Sequence, residues 1–169
     1  SPAQREAVDA AEDGLAQVLD QVKHRLAAVG VLLALDGAVL GQLSLNYMSV
    51  NEVDKMISAG EKALASDPNN VDVLPMMAFA IPRRNGTTAQ QLEAAMNYAR
   101  RAINLLATMP KPAELDDATF SRLKNEKLAQ CRSGMGTAYF KTGHFDESVT
   151  ELSQAVRLDT NPDPVDYYI

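Results

Sequence analysis

Few residues in this 169-residue chain have the types and spacing that chemistry requires. His24 stands one helical turn after Asp20, and His144 sits beside Asp146 and Glu147, so each imidazole has a carboxylate close in sequence. Two isolated histidines in distant parts of the chain, with no HExxH spacing, do not make a metal site, and each reads as a surface or packing residue. Cys131 is the sole cysteine, which excludes an internal disulfide and any CxxC knuckle. With no histidine near it in sequence, it reads as a small buried hydrophobe rather than a nucleophile. Gly134-Met135-Gly136 lacks the third glycine and the preceding strand of a dinucleotide loop, and no GxxxxGK occurs, so phosphate cradling is unsupported. Asn85-Gly86-Thr87 has the spacing of a glycosylation acceptor, which matters only in a secreted eukaryotic chain and otherwise reads as a turn. Acidic side chains fall mostly on helix exteriors without a matched apolar pocket, so paired acid and base roles lack a setting. The expectation is a protein that is not an enzyme and needs no cofactor or metal.

Composition agrees with a packed helical domain. Hydrophobic residues make up 46% and charged residues 22%, enough for a core, and only nine residues are aromatic, none of them Trp. Abundant Ala and Leu suit helices better than short strands. A formal charge of −6 opposes a surface that tracks phosphates, so nucleic acid is not an expected partner. Residues 71–112 are the only basic stretch, with five Lys or Arg against two Asp or Glu; they read as a solvated rim. The longest apolar run, Leu26 to Leu35, is about half of what a bilayer crossing needs and is closed by Asp36, so no membrane insertion is expected. The first segment is charged throughout, unlike a secretory signal, and a chain that opens with Ser1-Pro2 leaves the compartment open.

Periodicity of three and four residues covers most of the chain. It predicts a long amphipathic helix over 4–29, helices over 36–48 and 52–66 with Asn51 as cap, and a stop at Asp67-Pro68-Asn69-Asn70. A helix over 71–81 should end at Pro82, and Thr88 with Gln91 forms a capping-box pattern opening the next. Met109-Pro110-Lys111-Pro112 breaks that helix, a helix of roughly 40 Å should cover 113–141, and Gly143 marks a turn before a helix over 146–158.

Paired helices with Asp-Pro stops invite a search for a repeat. Met135-Gly136-x-x-Tyr139, then Gly143-x-Phe145-Asp146-Glu147-Ser148, then Leu152, Ala155 and Leu158-Asp159 resembles a tetratricopeptide repeat. In that reading Gly136 lets two helices approach closely, Tyr139 and Phe145 plug the space around the turn, and Ala155 makes room for the following helix. A second copy is Leu40-x-x-Leu43-Ser44-x-x-Tyr47, then Met56-Ile57, Ala63-Leu64 and Asp67-Pro68, with Ser44 as its small residue, Pro68 as its terminating proline and Gly60 replacing the usual aromatic. A weaker third copy lies between, with Leu74, Met77, Ala78 and Ile81 on one helix and Ala95, Ala99 and Ala102 on the next. From Tyr47 to Tyr139 is 92 residues, so a 34-residue period closes only with insertions at 82–87 and 110–128. The last copy departs from the pattern in having Arg132 at the early large-residue position and Thr160 where a proline would end it.

The resemblance implies an all-α fold, a right-handed α-solenoid of antiparallel helical hairpins with about three repeats and an N-terminal helix. Residues 1–36 would be a capping region, 37–162 the solenoid, and 163–169 the start of a further repeat in a longer array. It also implies an interaction scaffold that holds a peptide or partner helix in a groove lined by the first helix of each hairpin. Carried over residue by residue, that groove contains Gln42 and Leu45, then Met76, Phe79 and Arg83, then Gln130, Thr137, Phe140 and Lys141. Gly41, Leu45, Met76, Gln130 and Gly134 occupy the positions of the carboxylate clamp found in chaperone-binding relatives, so that clamp is absent. An apolar ligand is expected instead, anchored by Phe79, Met76 and Phe140 with Arg83 or Lys141 at the edge, although Met76 and Phe79 equally suit packing against a neighbouring helix. The alternative is an assembly role, in which exposed solenoid ends make homotypic contacts and the chain forms homo-oligomers without a separate peptide.

Overall fold

The computed structural model describes residues 32–49 and 52–167, together with Arg5, Gly14, Leu15, Gln17 and Val18. The expected helix over 4–29 and the cap Asn51 lie, those five residues apart, outside the described residues. Among the described residues there are six α-helices and no strand: α1 (Leu32–Ser49), α2 (Val53–Ser66), α3 (Val73–Arg83), α4 (Ala89–Thr108), α5 (Asp117–Lys141) and α6 (Phe145–Leu158), followed by a 3-10 turn at Pro164–Tyr167. The fold is an all-α helical repeat. Its residues group into two compact units, Ser1–Val73 and Leu74–Ile169.

In the first unit α1 packs against α2. The turn between them is fixed by the Glu52 N–H, which donates to the Tyr47 carbonyl at 3.0 Å. Glu52 is the N-cap, one residue beyond the expected Asn51, and its side chain makes no capping bond. Met56, Ile57, Ala59, Ala63 and Leu64 give α2 a buried stripe, and the Ser44 hydroxyl donates to the Met56 carbonyl at 2.8 Å across the dry interface. Asp67 ends the helix, with its side chain accepting from the Asn69 N–H at 3.1 Å just after Pro68.

The second unit contains a hairpin of the same design. His144 caps α6 with φ −90° and ψ 71°, against −91° and 69° at Glu52, and its N–H donates to the Tyr139 carbonyl at 2.9 Å. Both second helices span 14 residues and both end on an aspartate, Asp67 and Asp159. Segments 92 residues apart therefore fold alike. Gly136 sits where Ser44 sits in the first copy, and a Cβ there would lie 2.5 Å from Leu152 Cγ. Here Ser148 supplies the bond across the interface, donating to the Gly136 carbonyl at 2.8 Å. Gly143, with φ 80°, takes the left-handed turn that few residues other than glycine adopt. Phe145 does not plug this turn: at the first residue of α6 it is 59% exposed, although it heads the same face as the buried Ser148 and Leu152.

Several helix boundaries differ from expectation by one to four residues, and two of them have a clear chemical cause. Pro82 lies inside α3 rather than ending it at residue 81. Proline in the last turn forfeits only the bond to the carbonyl four residues back, here that of Ala78. That carbonyl faces α5, where a Cβ on Gly134 would lie 2.2 Å from it. The glycine Cα–H occupies that direction instead, so the backbone of α5 comes against a carbonyl that has no helical donor. α5 begins at Asp117, not 113, because Asp116 caps it by accepting from the Thr119 N–H at 2.8 Å, a bond that also holds the Asp116 carboxyl below its ordinary pKa. The Thr88–Gln91 capping box forms as expected at the head of α4. Leu74, Met77, Ala78 and Ile81 on α3 and Ala95, Ala99 and Ala102 on α4 are all buried. α5 packs on one side against α4 and on another against α6, which also carries the 3-10 turn.

Gly136→Ala should drive a methyl into Leu152 and lower stability by about 1–3 kcal/mol. Urea unfolding followed by circular dichroism measures the loss, and an unchanged midpoint would contradict the close approach.

Candidate ligand-binding site

The residues assigned to a groove fall into both units, and each set is taken in its own. In the first, Gln42 is exposed and donates its amide to Asn46 Oδ1 at 3.3 Å, while Leu45 and Leu43 are half-buried beside the buried Ser44 and Tyr47. In the second, Met76 is 1% exposed and Thr137 is buried, its hydroxyl donating to the Ser133 carbonyl at 2.9 Å. Gln130 is half-buried. Phe140 is 42% exposed, with its ring edge-on to Phe145 at 5.7 Å, and Lys141 reaches back to donate to the Arg84 carbonyl at 2.9 Å.

Phe79 and Arg83 are brought together one turn apart on α3. The Arg83 guanidinium lies 3.7 Å above the Phe79 ring centroid, the geometry of a cation–π contact. One of its nitrogens donates to the Phe79 carbonyl at 3.1 Å. Another donates to both Ser133 Oγ at 2.5 Å and Asp166 Oδ1 at 2.8 Å. The Ser133 hydroxyl in turn donates to the same Asp166 oxygen at 2.5 Å, and Asp163 Oδ2 stands 3.6 Å from Arg83 Nε. Three elements, α3, α5 and the 3-10 turn, are thus tied at one guanidinium. Sequence reasoning placed Arg83 at the edge of a ligand groove and did not find Asp166. The available signal was the acidic pair Asp163 and Asp166 opening a turn after α6 while Arg83 had no local partner.

Burial dominates the electrostatics of this cluster. The Asp166 side chain is only 4% exposed, and loss of water pushes its carboxyl above the ordinary carboxylate range although the Ser133 hydrogen bond and the Arg83 charge pull it down. Arg83 is lowered for the same reason, desolvation outweighing the attraction of Asp166 and Asp163. Both partners move toward neutrality, so the pair specifies geometry more than it adds stability.

Elsewhere Cys131 is fully buried on α5, and desolvation pushes its thiol up to about 12. A cavity of about 350 Å³ is lined by Leu128, Arg132, Gln154, Arg157 and Leu158, with Arg132 paired to Glu151 at 2.8 Å. A second, of about 210 Å³, is lined by Tyr139, Asp146, Glu147, Thr150 and Glu151. Among the described residues no group of His, Cys, Asp or Glu side chains is placed to hold a metal ion, and no helix is long and apolar enough to cross a membrane.

The family model that matches the chain is described as a tetratricopeptide repeat and covers residues 129–162. Residues 129–162 are a tetratricopeptide repeat. The repeat takes in the second half of α5, the Gly143 turn and all of α6. Neither a curated protein nor a solved structure matches the chain. Tetratricopeptide repeats generally mediate protein–protein interaction.

Two measurements check this geometry. Asp166→Ala strands Arg83 and Ser133 and should cost about 1–3 kcal/mol, whereas Asp166→Asn, which mimics the protonated carboxyl, should stay within about 1 kcal/mol of the wild type at neutral pH. The raised Asp166 pKa means that its contribution is complete below the ordinary carboxylate value and is lost as pH rises through the folded value; the Asn variant should lack that slope. Cys131 should resist dithiobisnitrobenzoate at pH 8 in the folded chain and react at once in urea.

Proposed function

We propose that this chain is a non-catalytic interaction scaffold that holds a peptide or partner helix against apolar side chains. The observation that carries the reading is the tetratricopeptide repeat at residues 129–162. Of the groove positions in the second unit, Phe140 and Lys141 are exposed and Gln130 is half-buried, so these are the side chains a ligand reaches without rearrangement. Arg83 is engaged by Asp166 and stacked on Phe79, so an acidic ligand at that guanidinium has to displace the 3-10 turn. The apolar character of Phe140 favours a ligand recognised by hydrophobic anchors over one held through its carboxylates.

The test is affinity capture with mass spectrometry, comparing the wild type with Gln130→Ala/Phe140→Ser. Both positions keep solvent contact, so the variant should retain its helical signal and melting temperature. Loss of at least half of the specifically captured polypeptides is expected. An unchanged captured set would remove this surface from the function.

A further inference from the structure

We propose that Asn85 is a site of spontaneous backbone modification, at which the Gly86 amide displaces the side-chain nitrogen and the isoaspartyl product slackens the turn between α3 and α4.

Asn85-Gly86 is the only Asn-Gly pair among the nine asparagines of the sequence. The reaction needs an asparagine side chain open to solvent and a following backbone nitrogen that is neither shielded by a side chain nor committed to an acceptor. The turn meets each condition. Asn85 and Gly86 are exposed, Gly86 has φ 70°, and a Cβ there would meet nothing within 4 Å. Neither the Asn85 amide nor the Gly86 N–H makes a hydrogen bond among the described residues. At the other described asparagines the fold commits one of these groups. Asn46, Asn97, Asn104 and Asn125 lie inside α1, α4 and α5, where the next N–H is taken up in the helix. The N–H after Asn69 donates to the Asp67 carbonyl at 3.2 Å, and the Asn70 side chain accepts from the Asp72 and Val73 amides. Asn161 precedes a proline, which has no N–H.

In the reaction the Gly86 nitrogen gives its proton to hydroxide and bonds to Asn85 Cγ. The Cγ–Nδ2 bond breaks, and ammonia leaves with a proton from water, closing a five-membered imide. Solvent water then opens that ring. Cleavage between the Gly86 nitrogen and Cγ leaves aspartate in an unaltered backbone. Cleavage between the same nitrogen and the Asn85 main-chain carbonyl carbon leaves isoaspartate, with the chain running through Cγ and one carbon longer. That carbon falls in a span fixed from both sides. The Thr87 hydroxyl bonds to the Ile81 carbonyl at 2.9 Å and to the Arg84 carbonyl at 2.8 Å, and Lys141 Nζ donates to the same Arg84 carbonyl at 2.9 Å. Lengthening the backbone between residues 84 and 87 draws the hydroxyl off these acceptors and loosens the anchor of Lys141, an exposed side chain of the candidate surface.

The full chain is incubated at pH 8 and 37 °C beside the same chain unfolded in guanidinium chloride. Residue 85 is followed by peptide mapping, with enzymatic carboxyl methylation marking isoaspartate. Because no opening of the fold is needed, Asn85 in the folded chain should convert at no less than roughly one third of the unfolded rate, and before every other asparagine. Conversion should slow at least fivefold at pH 6, where less of the amide is deprotonated. The purified isoaspartyl form should melt below both the parent chain and Asn85→Asp, which carries the new charge without the added carbon. Folded conversion below that fraction, another asparagine converting first, a smaller effect of pH, or an isoaspartyl form that melts with Asn85→Asp would overturn the proposal.

Discussion

Everything in the structure depends on how closely the two helices of a hairpin can approach. Side-chain size at one position of the first helix sets that distance: serine at 44, glycine at 136. Once the helices are that close, any hydroxyl caught between them must find an acceptor without water, and the nearest is a backbone carbonyl of the opposite helix. The two hairpins solve this with the same pair of positions and opposite polarity. Ser44 on the first helix donates to Met56, and Ser148 on the second donates to Gly136. A methionine facing a serine in one copy becomes a serine facing a glycine in the other, with Leu152 filling the volume over Gly136 where the first copy has Gly60. The backbone turn is preserved with it, Glu52 and His144 taking nearly the same φ and ψ.

Local features of the fold were legible in the residues themselves. The Thr88–Gln91 box, the Asp67-Pro68 stop and the Gly143 turn involve groups within a few residues of one another, and each forms where its chemistry places it. Boundaries slipped where two signals competed. Pro82 reads as a terminator, yet in a final turn it removes one bond and lets the helix finish; Asp116 reads as helix interior, yet its side chain captures the Thr119 amide and becomes the cap. The candidate site was less legible. Sequence position cannot tell whether an apolar residue at a helix-facing place ends up in a groove or in the core, and Met76 and Thr137 are buried whereas Phe140 is not.

Arg83 shows why. Its charge and loop-side position fit a ligand contact, but its acceptors lie 50 and 83 residues further along the chain, and no pattern within its own helix announces them. A buried cation joined to a serine and an aspartate on separate elements fixes where the turn after α6 starts and which way it points. The placement of that turn is therefore defined from within, by a side chain that solvent scarcely reaches.

Pro82 and Gly134 carry a consequence for how such a chain can change over generations. The imide at 82 releases the Ala78 carbonyl, and the missing side chain at 134 lets another helix fill the space in front of it. The two positions are not equally free: a Cβ at 134 would stand 2.2 Å from the Ala78 oxygen and 2.6 Å from its carbon whatever residue occupies 82, so the glycine is expected to persist in lineages where the proline is exchanged.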